Sequence, residues 1–300
     1  MEKFTDVEAL TQYITDELFK LFKQSPQSWA RHTFGPLFRL PTHRFAQVAC
    51  TFDRYVEDYG LREAALRILP VFARAFEAHN VDSVPREGPL LITSNHPGTC
   101  DSIVIAASIP RPDLKIVATG IPFVQGLRNA ASHLIYTTRD VHERMMVVRS
   151  VIRHLREGGA VLIFPSGRID PDPALSPEAS NDLGRWSPSL EVMLRQVPQT
   201  RVLLTVVSGV LSARWRYNWF VRLFKDDHKQ RSVAEFLQVI QQMLFPNSVD
   251  VTPRLSFSEP LSPNDLADHG NSMLDGMIER ARCLMEDHMA QGDKLLPANL

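Results

Sequence analysis

The chain has 300 residues, of which 44% are hydrophobic and 22% charged, with 33 Lys plus Arg against 34 Asp plus Glu. These values describe a folded globular body with ample core. The balanced charge excludes a nucleic-acid binder that relies on a general basic excess, so any anion recognition must be local. Cys50, Cys100 and Cys283 are odd in number and far apart, which fits a reducing compartment and matches no zinc spacing.

No run approaches the roughly 18 apolar residues of a membrane span; the longest, 202–211, is interrupted by Thr205, Ser208 and Gly209. The acidic start MEKFTDVEAL lacks the basic-then-apolar order of a secretory signal. A cytoplasmic protein is expected, with any membrane contact peripheral.

Residues 1–82 read as an N-terminal helical region. Leu10, Ile14, Leu18 and Leu21 fall at helical spacing within 7–22, as do Leu66, Leu69, Phe72 and Phe76 within 61–78. Pro26, Pro36, Pro41 and Pro70 are expected to break or kink this region. From 83 to 300 the texture changes to that of an α/β domain. Strands are expected at 90–93, 114–118, 134–137, 160–164, 202–207 and 252–257. Between them lies a helix over 141–157, with Val148, Val151, Ile152 and Leu155 on one face and Gly158-Gly159 as its stop. A last helix is expected over 263–289. This alternation predicts a mostly parallel sheet flanked by helices, with the ligand at the carboxyl ends of the strands.

The first of these ends carries Ser94-Asn95-His96-Pro97-Gly98-Thr99-Cys100-Asp101. Five steps cannot bring two side chains together on a helix. In a loop tightened by Pro97 and Gly98, however, Asp101 can fold back to one ring nitrogen of His96, fix the tautomer and stabilise the imidazolium. The plain alternative is a loop histidine next to a helix N-cap; a metal site of His96, Cys100 and Asp101 is another. After 160–164 come Ser166, Gly167 and Arg168, a loop whose N–H groups and guanidinium suit a phosphate. Arg139 follows 134–137. Either arginine can instead pair on the surface, Arg168 with Asp170 or Asp172 and Arg139 with Asp140.

These residues resemble the glycerolipid acyltransferases, which include glycerol-3-phosphate and lysophosphatidic acid acyltransferases. NHPGTCD is similar to that family's N-H-x-x-x-x-D block. The stretch 120–139, ending in Arg139, is similar to its second block, Phe164 to Arg168 to its third, and 204–209 stands in place of its fourth. The third block differs by Ser166 where most bacterial members have Glu. With Asp170-Pro171-Asp172-Pro173 after it, this version looks more like the soluble plastid-type glycerol-3-phosphate acyltransferases. In the fourth, Ser208 stands where proline is common. The resemblance implies an acyl-CoA or acyl-carrier-protein donor and a glycerol-phosphate-type acceptor such as glycerol-3-phosphate or 1-acylglycerol-3-phosphate. It implies His96 as general base, Asp101 as its partner, and Arg139 and Arg168, with Ser166 and Gly167, at the acceptor phosphate. Lys115 is a weaker candidate there, and N–H groups of the 97–99 turn are candidates for the oxyanion. Neither metal nor cofactor is expected.

Two other readings compete. A serine hydrolase needs its nucleophile in a G-x-S-x-G turn, which the sequence lacks. A lipid-binding protein of the same fold without activity is the non-enzymatic alternative. Finally, 213–225 mixes Arg214, Arg216, Arg222 and Lys225 with aromatic residues, either as a surface lying in a lipid interface or as a helix packed on the sheet. The segment 18–39 has the same ambiguity.

Overall fold

The computed structural model describes residues 6–21, 29–98, 100–120, 122–137, 141–267 and 272–293. In chain order its elements are α1 (Val7–Leu21), α2 (Trp29–Tyr59), α3 (Leu61–Ile68), β1 (Glu77–His79), β2 (Leu90–Ser94) and α4 (Asp101–Ser108). Then come β3 (Lys115–Thr119), α5 (Pro122–Gln125), β4 (Leu134–Thr137), α6 (Val141–Arg156), β5 (Ala160–Ile163) and α7 (Ser189–Gln196). The chain continues with β6 (Arg201–Ser208), α8 (Ala213–Arg216), α9 (Asp227–Leu244), β7 (Arg254–Phe257), α10 (Pro263–Leu266) and α11 (Met273–Asp293).

The strands form one sheet in the order β1-β7-β6-β2-β5-β3-β4. Every neighbouring pair is parallel except β6–β7. All five residues of β2 are buried, because each face of a central parallel strand is covered and both must be apolar. Leu90 and Ile92 point into a core shared with α2, α3 and α4, and Leu91 points into a second core built with α6, α7 and α11. In β6, Leu203 and Val207 join the first core, while Val202, Leu204 and Val206 join the second. A period of two on a two-sided sheet thus puts consecutive apolar side chains to use.

Several helical expectations change. The helix expected over 61–78 ends at Ile68; Leu69–Val71 is a 3-10 turn and Glu77–His79 is strand β1, parallel to β7. Pro70, with no N–H to give, stops the α-helix. Pro36 and Pro41 do not break α2, which runs through both. Its packing on α1, α3 and α9, and the Arg44 guanidinium on the carbonyls of Met243 and Leu244, outweigh the lost bonds. Pro26 lies outside the described residues. The helix expected over 263–289 is two: α10 starts in a capping box of Ser262 and Asp265, and α11 begins at Met273.

One polar knot holds α11 against the sheet. His288 is buried, with Nε2 2.7 Å from Ser208 Oγ and Nδ1 2.7 Å from Ser256 Oγ. Burial, then the charges of Arg254 and His79, push its pKa down to about 4. The unfolded chain therefore takes up this proton more readily, so the contribution to stability is complete above about pH 6.5 and lost as pH falls toward 4. His288→Ala is expected to cost about 2–4 kcal/mol at pH 7 through the cavity and the stranded hydroxyls. The gap to wild type should narrow by about 2 kcal/mol at pH 5. Urea unfolding at both pH values checks this; an equal gap at both would reject the linkage.

Candidate active site

Strand β2 delivers its carboxyl end at Asn95, whose side chain locks onto the neighbouring strand. Asn95 Nδ2 donates to Val207 O at 2.8 Å, and Val207 N donates to Asn95 Oδ1 at 2.9 Å. With that residue fixed, His96 faces the start of α4. His96 Nδ1 lies 2.8 Å from Asp101 Oδ2, and Gly98 N donates to the same oxygen at 3.1 Å. The Asp101 side chain is fully buried, while that of His96 is 29% exposed. A carboxylate only accepts, so in the neutral ring Nδ1 carries the proton and Nε2 has a lone pair for a proton from outside. The ring stacks on Phe164, at the exit of β5, with centroids 4.4 Å apart.

Burial disfavours the imidazolium, but the charge and hydrogen bond of Asp101, with Glu235 and Asp170 beyond, outweigh it. The pKa is pushed up to about 9. At neutral pH the neutral base is then about one part in a hundred, and its share rises tenfold per pH unit.

A second carboxylate fixes the histidine's backbone. Asp170 Oδ2 accepts from His96 N at 2.9 Å and from Ser166 Oγ at 3.0 Å, while Asp170 N donates to His96 O at 2.7 Å. Burial drives the Asp170 carboxyl up to about 6 despite these bonds. Gly167 makes the turn between them at φ 66°, a left-handed conformation that favours glycine. Two residues beyond Asp170, Asp172 is buried and gathers the N–H groups of Ala174, Gly209, Val210 and Leu211. Burial raises its pKa as well. The loops after β2, β5 and β6 are therefore tied to one another by buried side chains.

The sequence-derived candidates fall into two groups. His96, Asp101, Ser166, Gly167 and Arg168 come together at this sheet edge. Arg168 does not pair with Asp170 or Asp172: its Nη2 lies 3.7 Å from Asp182 Oδ2, because those two carboxylates are turned inward to backbone N–H groups. Gly167 N is bonded to Phe164 O and the Ser166 hydroxyl to Asp170, so the guanidinium is the freer anion partner of that loop. Arg139 lies outside the described residues. Lys115 is level with Leu91 through Val161, near the amino ends of the strands and away from His96. In the turn proposed for the oxyanion, Pro97 has no N–H, Gly98 N serves Asp101, and Thr99 lies outside the described residues. Among the described residues no three His, Cys, Asp or Glu side chains are grouped to hold a metal. The Ser166 hydroxyl is engaged with Asp170 and the Arg168 carbonyl rather than with an imidazole.

Residues that sequence reasoning passed over are Asn95, Phe164 and the supporting role of Asp170 and Asp172. The only signal was the position of each beside a strand's exit.

Fold and site together define a mostly parallel α/β protein with a histidine–aspartate pair at the carboxyl edge of its sheet. Residues 75–190 match the family model described as Acyltransferase. That segment runs from β1 to the start of α7 and contains His96, Asp101 and Arg168, and the resemblance read from NHPGTCD agrees with the match. No curated protein matches the sequence. A solved structure, the 1-acyl-sn-glycerophosphate (LPA) acyltransferase PlsC from Thermotoga maritima, is similar over 98% of both chains at 15% identity, with a TM-score of 0.42. A likeness that loose carries no substrate from one chain to the other.

Proposed function

We propose that the protein transfers a fatty acyl group from a thioester, acyl-CoA or acyl-carrier protein, to a hydroxyl of glycerol-3-phosphate or a lysophospholipid such as 1-acylglycerol-3-phosphate. The observation that carries the reading is the 2.8 Å contact between a partly exposed imidazole and a fully buried carboxylate, inside the segment that matches the Acyltransferase family model. Nε2 takes the proton of the acceptor hydroxyl as its oxygen attacks the thioester carbonyl. The C–O bond forms, the C–S bond breaks, and the imidazolium returns the proton to the leaving thiolate. Asp101 holds the ring and stabilises its charged form; Asp170 and Asn95 position the backbone beneath it. Arg168, and Arg139 by resemblance, hold the acceptor's phosphate as bidentate cations.

The test is to incubate the purified protein with palmitoyl-CoA and, separately, glycerol-3-phosphate, 1-acylglycerol-3-phosphate and a non-phosphorylated alcohol, and to identify products by mass. An ester of a phosphorylated acceptor, with little from the alcohol, is expected. Lipid bound without any ester across all pairs of donor and acceptor would favour the inactive lipid-binding alternative, and fatty acid released to water with no acceptor needed would favour a hydrolase.

A further inference from the structure

We propose that the surface formed by 213–225 docks on an anionic lipid bilayer, next to the mouth of the site. The segment has four basic residues and no acidic one, in a chain whose net charge is −1. Arg214, Arg222 and Lys225 are exposed. None of their side chains makes an ion pair or hydrogen bond with a described residue, whereas Arg216 is occupied by Asp227 and Gln230.

The apolar residues of the segment divide between inside and outside. Val221 is fully buried in a small core with Leu211, Val233 and Ala234, on which Trp215 and Phe224 also pack. Trp215 Nε1 donates to Gln241 Oε1 at 2.7 Å. With that base fixed, Trp219 remains 73% and Leu223 65% exposed, with Tyr217 and Phe220 partly so. The ring of Phe220 meets Trp219 and Phe224 edge-on, at centroid distances of 6.1 and 5.8 Å. A rigid aromatic knuckle ringed by unpaired cations is costly in water and suits the headgroup–acyl boundary of an anionic membrane. A protein partner that presented acidic charge would need the cations but not the two most exposed apolar side chains.

The surface is joined to the catalytic edge by short connections. Gly209, Val210 and Leu211, just before it, donate to Asp172, and Val210 lines a small cavity with Pro97, Gly98 and Glu235. Tyr217 Oη donates to Leu175 O, three residues beyond Asp172. A lipid acceptor lifted from the membrane would enter beside His96; this consequence rests on the proposed acyl transfer, while the docking itself does not. The segment 18–39 adds nothing to the case, since most of its side chains lie outside what the structure describes.

The experiment is flotation of the full chain with vesicles of phosphatidylcholine alone or with 30% phosphatidylglycerol, for wild type, Trp219→Ala/Leu223→Ala and Arg222→Gln/Lys225→Gln, each checked for an unchanged circular dichroism spectrum. Wild type should float with the anionic vesicles and release in 0.5 M NaCl. The charge variant should lose roughly five-fold in partitioning per removed cation, and the apolar variant at least about ten-fold. Wild type that stays with the soluble fraction, or an apolar variant that floats like wild type, overturns the proposal. So does binding to soluble acyl-carrier protein that only the charge variant loses, an outcome that would make this a protein-docking surface. Transfer to a water-soluble short-chain acceptor should be equal in all three proteins. If vesicles bind but no acceptor is acylated, the enzymatic reading fails and the docking surface stands.

Discussion

His96→Ala is expected to lower acyl transfer by about 10²–10⁴-fold while leaving a folded protein. The loss falls on the chemical step, because the variant removes the imidazole paired with Asp101 and leaves the Arg168 loop in place. The fold should survive because the two backbone bonds between residues 96 and 170 do not use the ring. Some stability should go, about 1–3 kcal/mol, since among the described residues Asp101 keeps only Gly98 N as a side-chain partner while still fully buried. Initial rates on the acceptor found in the product assay, with thermal unfolding of the same preparations, check both parts. Turnover within a few-fold of wild type in a clean preparation would remove His96 from the chemistry.

The largest effect on stability should come from Asp172→Ala. Four backbone N–H groups end on that carboxylate, and its removal leaves those of buried Val210 and Leu211 without partners, at a cost of about 3–5 kcal/mol. Asp172→Asn keeps one oxygen acceptor and should lose less. Because the loops after β5 and β6 meet at this side chain, the Ala variant should also lose activity at temperatures where it is still folded. Denaturant unfolding of the two variants is the measurement; an unfolding free energy for Asp172→Ala within about 0.5 kcal/mol of wild type would mean that other groups satisfy the loop.

What could be read from the sequence was what is local in the chain. The strand at 134–137 and the helix from Val141 lie where apolar period and turn residues put them, and the five-residue spacing of His96 and Asp101 is closed by Pro97 and Gly98. Strand β1 was hidden because three residues carry no period, and because its partner β7 lies at the far end of the domain. The continuous α2 was hidden because local propensity argues against Pro36 and Pro41, and only packing on α1, α3 and α9 overrules it. The Asp170 clamp was hidden for a third reason. It joins residues 74 apart, and its acid was read as a surface partner for Arg168 when burial had turned it inward. Fold class and the contact of His96 with Asp101 were thus accessible from short-range pattern, while the buried carboxylates that brace the pair depend on long-range contacts.

The most direct measurement on the base itself is kcat/KM for acyl transfer from pH 6 to 10, corrected for spontaneous thioester hydrolysis. Wild type should rise with unit slope and level off near pH 9, as the proton held by the Asp101 carboxylate leaves the imidazole. A profile already flat between pH 7 and 10 would contradict a base held in that way.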